Sequence, residues 1–193
     1  MTRLILASTS PRRAELLHQI GVRFEQRAVG IDESPQHGEV AAETALRLAR
    51  QKALTGLELV PGATILAADT LVSIDGEALG KPRDRDDGLA MLRRLSGRRH
   101  EVYTAVAIAR DEDIKAFLSV SHVDMRPLSE DEMIAYWNTG EPADKAGGYA
   151  IQGRAAVFVT RLEGSFSGVM GLPLFETSEL LRQAGIAVWS AER

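Results

Sequence analysis

The run ATILAADTLVSIDGEAL, residues 63–79, constrains the fold of this chain more than any other stretch. It reads as a strand, an Asp-Gly turn and a return strand, because Asp-Gly supplies the backbone conformation that a two-residue hairpin turn demands. In the apolar half of the run stands Asp69, with apolar residues on both sides. A carboxylate inside an apolar strand is costly unless it is paired, bound to a metal or used in chemistry. An Asp that merely bonds a turn belongs at a strand end, and the flanking residues argue against that reading. Asp69 is therefore the first functional candidate, either holding a divalent cation or accepting a proton from water.

Strands and helices alternate along the rest of the chain. RLILAS (3–8) reads as a short buried strand, and residues 11–20 as a helix with Leu16, Leu17 and Ile20 on one face, stopped by Gly21. VRFEQRAVG (22–30) alternates like a strand, and residues 40–57 form a long helix expected to end near Gly56. DRDDGLAMLRRLSG (84–97) is a helix with acidic residues early and arginines late. HEVYTAVAIAR and IKAFLSVSHVDM are paired strands about a polar turn. SEDEMIAYWNTG opens a helix with Ser129 and Glu132 in capping-box spacing. A Gly-rich loop follows, then the strand AAVFVTRLEG, a helix through Leu181 and a terminal strand AVWS. The pattern predicts one α/β domain over residues 1–193, with a mixed twisted sheet, flanking helices and two lobes around a deep cleft.

Composition narrows the function classes. The net charge of −4 disfavours general attraction to nucleic acid or to an anionic membrane. No apolar run is long enough for a membrane span, and the N-terminus lacks a signal-peptide pattern. With no cysteine, thiolate catalysis and disulfides are excluded; the four histidines show no metal-ligand spacing.

Other stretches carry anion-binding chemistry. In STSPRR, Ser10 and Pro11 suit a helix start, yet Arg12 and Arg13 follow where the helix dipole favours acidic residues. An anion would reverse that cost: the free amides, the Ser8 and Ser10 hydroxyls and the two guanidinium groups suit phosphate. In GEALGKPRD, Gly80 and Pro82 frame Lys81 in a turn, without the Walker pattern. In GEPADKAGGYAIQG, Gly147 and Gly148 permit close backbone approach, Lys145 adds charge, and the Gln152 amide suits a base edge. Glu33, beside Asp32, and Lys52 complete an inventory of cations and carboxylates suited to a triphosphate with a divalent cation.

Taken in order, LILASTSPRRAELL, LRLARQKA, AADTLV, GKPRD, LSGRRHEVYTAVAI, GEPADKAGGYAIQG and GSFSGVMGLPL resemble the Maf family of nucleoside triphosphate pyrophosphatases, over residues 4–174. One departure is Gly168, where many members carry Asn, and it is assigned no role. The resemblance implies a mixed α/β fold with a deep cleft, a homodimer, and cytoplasmic hydrolysis of a nucleoside triphosphate to monophosphate and pyrophosphate with Mg²⁺ or Mn²⁺. It also implies a link to septum formation. By motif match it makes Asp69 the proton acceptor and places Arg12, Thr70 and Gln152 where substrate choice is made. It places Arg13, Lys52 and Lys81 against the triphosphate, and the cation against Asp69 and Glu33. DKAGGYAIQG resembles the dTTP/UTP-preferring branch. The alternatives are the 7-methyl-GTP-preferring branch and a nucleotide-sensing regulator of septum formation that does not hydrolyse its ligand. Neither a nucleic-acid partner nor a membrane is expected.

Overall fold

A four-residue strand, β1 (Leu4–Ala7), is buried at every position, so both of its faces must be covered. The computed structural model describes residues 3–189 and shows how. β1 lies between β2 (Glu25–Arg27) and β3 (Thr64–Ile74), parallel to both. β3 pairs antiparallel with β5 (Arg99–Arg110), β5 with β6 (Asp113–Met125), and β6 with β7 (Val159–Glu163). β4 (Glu77–Leu79) returns on β3, completing a seven-stranded mixed sheet in the order β2-β1-β3-β5-β6-β7. The β3–β4 turn is Asp75-Gly76, both at positive φ (56° and 78°), the conformation that matches the strands' own twist.

Alternation along the strands assigns the helices to opposite faces. Ile5, Ala7, Ile65, Ala67, Ala105 and Ala107 face α2 (Ala41–Leu59), which meets them with Ala45, Ala49 and Ala53. Leu4, Leu6, Leu66, Val106 and Ile108 face the other way, onto Leu16 and Leu17 of α1 (Pro11–Gln19) and Leu180 and Leu181 of α6 (Leu174–Gln183). Beyond Thr70, β3 enters a third apolar cluster. There Val72 and Ile74 pack with Leu89, Leu92 and Leu95 of α3 (Arg85–Leu95) and Met133 and Tyr136 of α4 (Glu130–Trp137). Asp69 and Thr70 occupy the passage between clusters. The remaining helix, α5 (Phe166–Met170), is one short segment before α6.

The capping box appears as expected: Ser129 accepts from the Glu132 amide, and the Glu132 carboxylate accepts from the Ser129 amide. Four expectations are corrected. α2 does not stop near Gly56 but runs to Leu59; Gly56 is buried in it because a Cβ there would lie 2.7 Å from Ile65 Cγ2. The predicted 22–30 strand shrinks to Glu25–Arg27, an exposed sheet edge with one partner strand. Residues Arg154–Phe158 form a 3-10 segment, so β7 starts only at Val159. Residues 187–189 of the predicted terminal strand are not strand, and Ser190 lies outside the described residues. Among the described residues no helix is long and apolar enough to cross a membrane.

Gly56 yields a test, because Ala would gain helix propensity of about 1 kcal/mol but must push into a β-branched side chain that the sheet holds fixed. Gly56→Ala should lower the unfolding free energy by about 1 kcal/mol, read from urea denaturation. A more stable variant would mean that α2 does not press on β3 at this point.

Candidate functional site

The odd-numbered residues of β3 face α2, and Asp69 is one of them. It is 7% exposed, and Lys52 reaches it from the inward stripe of α2, with Nζ 2.6 Å from Asp69 Oδ1. The same Nζ lies 2.7 Å from Glu33 Oε1, on the loop before α2. One buried ammonium thus joins an inner carboxylate to an outer, largely exposed one. Burial pushes the Asp69 carboxyl above its ordinary value, against the pull of Lys52 and Arg13. Glu33 goes the other way: partial burial opposes ionisation, but the Lys52 hydrogen bond and the charges of Lys52, Lys81 and Arg13 hold it below the usual range.

Thr70 points to the opposite face, where a second polar group forms. Thr104, on β5 opposite Thr70, is 1% exposed and donates to the Gly168 carbonyl at 2.7 Å, with Thr70 Oγ1 3.1 Å away. The half-buried Arg13 donates from Nε to the Gly171 carbonyl (2.8 Å) and from its terminal nitrogens to Ser8 Oγ (3.3 Å) and Thr70 Oγ1 (3.4 Å). Burial lowers the Arg13 pKa, while the charges of Asp69 and Glu33 support the guanidinium. Ser8 Oγ also accepts from the Ser10 amide at 3.1 Å, closing a local side-chain turn before α1.

The start of α1 differs in one respect from its expected form. Ser10 stands at the N-cap with extended backbone and Pro11 follows at the first helical position, but the Ser10 side chain makes no capping hydrogen bond. Arg12 is half-buried and makes no hydrogen bond or ion pair among the described residues, although its charge acts on Asp144. Two loops approach each other here. The Gly147 amide donates to the Gly80 carbonyl at 3.0 Å, and a Cβ on Gly148 would lie 3.5 Å from Pro82 Cγ. Gly147 must be glycine: its φ is +69°, and a Cβ would stand 3.0 Å from Val72. Lys81 is exposed beside Glu33, whose carboxyl it helps to keep ionised, and Lys145 pairs with Asp144.

Contacts therefore gather two groups, Glu33, Lys52 and Asp69 on one face of β3 and Ser8, Arg13 and Thr70 on the other, and charge couples Arg13 to Asp69 and Glu33. Lys81 adjoins them through Glu33, and Lys145 approaches Arg12 through Asp144. Gln152 is exposed at a turn and makes no hydrogen bond from its amide among the described residues. Sequence reasoning did not single out Thr104 or the Gly171 carbonyl. Thr104 did carry a signal, a hydroxyl in the apolar run AVAI's preceding position, and the carbonyl carried none. Among the described residues no three His, Cys, Asp or Glu side chains group as a metal cage. Asp69 and Glu33 do converge, through Lys52, on one point, and Mg²⁺ commonly takes one or two carboxylates and completes its shell with phosphate and water. A hollow of about 330 Å³ lined by Gly80, Lys81, Arg83 and Arg94 abuts this region. A larger one of about 450 Å³, between the β5–β6 turn and α6, contains none of these site residues.

Residues 3–184 match the family model described as Maf-like protein. A dTTP/UTP pyrophosphatase of Methylobacillus flagellatus is 53% identical over 190 residues, covering 97% of this chain and 96% of that protein. A dTTP/UTP pyrophosphatase of Methylococcus capsulatus is 52% identical over 185 residues, covering 95% and 92%. Among solved structures, a HAM1 protein from Coxiella burnetii is 18% identical with a TM-score of 0.49, covering 95% of this chain and 100% of that one.

The raised carboxyl of Asp69 fixes a sign for stability against pH. An acid whose pKa rises on folding imposes a cost that is absent below its unfolded pKa and complete above its folded one. Asp69→Asn removes that cost, and Glu33 still partners Lys52. The Tm of the variant minus that of the wild type should become more positive as pH rises from about 4 towards 7, then level off. A difference that stays flat or falls over that range would show that Asp69 is not destabilised by burial.

Proposed function

Because the chain belongs to the Maf-like family, we propose that it hydrolyses dTTP and UTP to the monophosphate and pyrophosphate. The observation that carries the reading onto these residues is the Asp69–Lys52–Glu33 group, its Asp69 and Lys52 buried, with the Arg12 and Arg13 turn and Lys81 beside it. Such a site offers cations to a triphosphate and a protected carboxylate to water. The rest of the reading is a homodimer acting in the cytoplasm, with the clusters on either side of Asp69 as two lobes of one domain.

The chemistry follows from what each side chain can do. Arg12, without a hydrogen-bonded partner among the described residues, and the first turn of α1, where Ser10 makes no capping bond, are open to phosphate oxygens. Lys81 and Lys145 add charge from the facing loops. Arg13 is held by Gly171 and Ser8, so it acts as a fixed charge. Asp69 takes a proton from water as the water oxygen attacks the α-phosphorus. The bond from that phosphorus to the α–β bridging oxygen breaks, and pyrophosphate leaves with the bonding electron pair. A carboxyl raised by burial is a stronger base than an exposed one, and the hydrogen bond and charge of Lys52 favour its ionised form. A divalent cation, Mg²⁺ or Mn²⁺, would be held by Asp69 and Glu33 and would polarise the phosphoryl group and neutralise the leaving group. Gln152 can donate to a carbonyl of uracil or thymine and accept from N3–H; guanine carries a like pair at O6 and N1–H, but on a larger ring that sets this edge at a different distance from the sugar.

Pyrophosphate release from a panel of nucleoside triphosphates tests this reading. UTP and dTTP should exceed 7-methyl-GTP in kcat/KM by at least about a hundredfold, since a site spaced for a pyrimidine edge leaves its polar groups unpaired when a larger, 7-methylated purine sets that edge out of place. Comparable values for 7-methyl-GTP would overturn the pyrimidine assignment while leaving the pyrophosphatase reading intact. Asp69→Asn should lower kcat by roughly 10²–10⁴-fold with the fold retained. A variant that keeps more than about a tenth of the wild-type kcat would remove Asp69 from the role of base.

A further inference from the structure

Gln152 sits in a four-residue turn closed by the Gly153 amide donating to the Ala150 carbonyl at 3.0 Å. Both shoulders of the turn are bonded to one pair of side chains, each thirteen or fourteen residues before the amide it meets. On the near side, the Ala150 amide donates to Tyr136 Oη at 3.2 Å. The Tyr136 hydroxyl in turn donates to Glu141 Oε1 at 2.7 Å. On the far side, the Arg154 amide donates to Glu141 Oε2 at 3.0 Å, and the Ala155 amide to Oε1 at 3.4 Å. A carboxylate and a phenol thus take three backbone amides from the segment that carries Gln152.

Three further features show a built clamp. Gly153 has no side chain where one would collide, since a Cβ there would lie 2.3 Å from Glu141 Oε2. Tyr136 is 4% exposed on α4 and its ring meets Phe158 edge-on at 5.2 Å, so the phenol is fixed from behind. Glu141 is fixed too: its amide donates to Thr139 Oγ1 at 3.2 Å, and that hydroxyl donates to the Tyr136 carbonyl at 2.7 Å. Burial raises the Tyr136 hydroxyl, so it stays a donor. Against the opposing effect of burial, the Arg154 amide, the Tyr136 hydroxyl and the Ala155 amide keep Glu141 ionised as an acceptor. Ile151, 5% exposed, anchors the turn in the apolar cluster, while Gln152 is left exposed with its amide unpaired among the described residues.

We propose that Tyr136 and Glu141 are positioning residues for base selection: together they lock the Ala150–Gly153 turn and hold the Gln152 amide in place for the nucleobase. The proposal rests on the reading of Gln152 as the group that meets a pyrimidine. A pre-formed turn spares the ordering cost that a loose loop would pay on each binding event, so the clamp acts on selectivity and KM.

The test is steady-state kinetics with UTP and GTP on the wild type, Tyr136→Phe, Glu141→Gln, Gln152→Ala and the corresponding double variants. Tyr136→Phe keeps the ring against Phe158, and Glu141→Gln keeps the side-chain shape. Each should lower kcat/KM for UTP at least about fivefold, chiefly through KM, with a much smaller change for GTP. In the Gln152→Ala background the same substitutions should cost less than about twofold, because their effect runs through Gln152. Equal losses for UTP and GTP, or losses undiminished in that background, would reduce the pair to a structural role and overturn the proposal. If Gln152→Ala itself leaves the UTP-to-GTP ratio unchanged, the base-reading role of Gln152 falls and the clamp's role falls with it. That result is distinct from a Gln152-dependent ratio that ignores Tyr136 and Glu141, which would overturn the clamp alone.

Discussion

A carboxylate in the middle of a buried strand sets the terms for everything around it. Asp69 is largely shielded from solvent, so it needs a cation, and the cation must come from an element that packs directly on the sheet. α2 supplies Lys52 from a buried stripe that also holds Leu48 and the small residues Ala45, Ala49, Ala53 and Gly56. Small residues let the helix lie close enough for the ammonium to stand 2.6 Å from Asp69. The far side of that ammonium meets Glu33, and Arg13 adds a second positive charge nearby, so two carboxylates face two cations. Desolvating such groups costs more than their attraction returns in many proteins, and replacement by apolar residues is often neutral or stabilising. The arrangement therefore makes better sense as chemistry than as a source of stability.

The alternation of a strand gives this site two sides. Asp69 turns to α2 and the loop carrying Glu33. Thr70, its neighbour, turns to Thr104, Arg13 and the carbonyls of Gly168 and Gly171. This also resolves the two arginines at the start of α1. Arg13 is supported by a backbone carbonyl and by the charges of Asp69 and Glu33, so it does not depend on a ligand for its partners. Arg12 has no such partner among the described residues, and the proposed triphosphate would supply one. One local rule broken twice has two separate physical answers.

Loops complete the site by being tied to one another. The Gly147–Gly80 bond joins the glycine-rich loop to the Lys81 turn, and the Tyr136–Glu141 pair fixes the end of that loop where Gln152 stands. Polar ties of this kind cost little in apolar area and leave Lys81 and Gln152 exposed. They suit the proposed binding of a polyphosphate and a flat base at the same time.

The residue types of the site were legible in the sequence, and so were the elements governed by short-range chemistry. The Asp75-Gly76 turn, the Ser129–Glu132 capping box and the misfit of Asp69 in its strand all act within a few residues of chain, so a sequence displays them directly. The partners were not legible. Gly56 looked like a helix stop because glycine usually weakens a helix; its reason is Ile65, which approaches only once the sheet has formed. Arg13 looked like a phosphate ligand, and the Gly171 carbonyl that holds it is a backbone atom that no side chain announces. Thr104 and the Tyr136–Glu141 clamp escaped notice for the same reason. By itself the sequence determined which charges and hydroxyls the chain carries and which local turns it makes. Only the tertiary structure decided which of them meet, because a hydrogen bond or ion pair depends on a few ångströms of separation set by packing between distant elements.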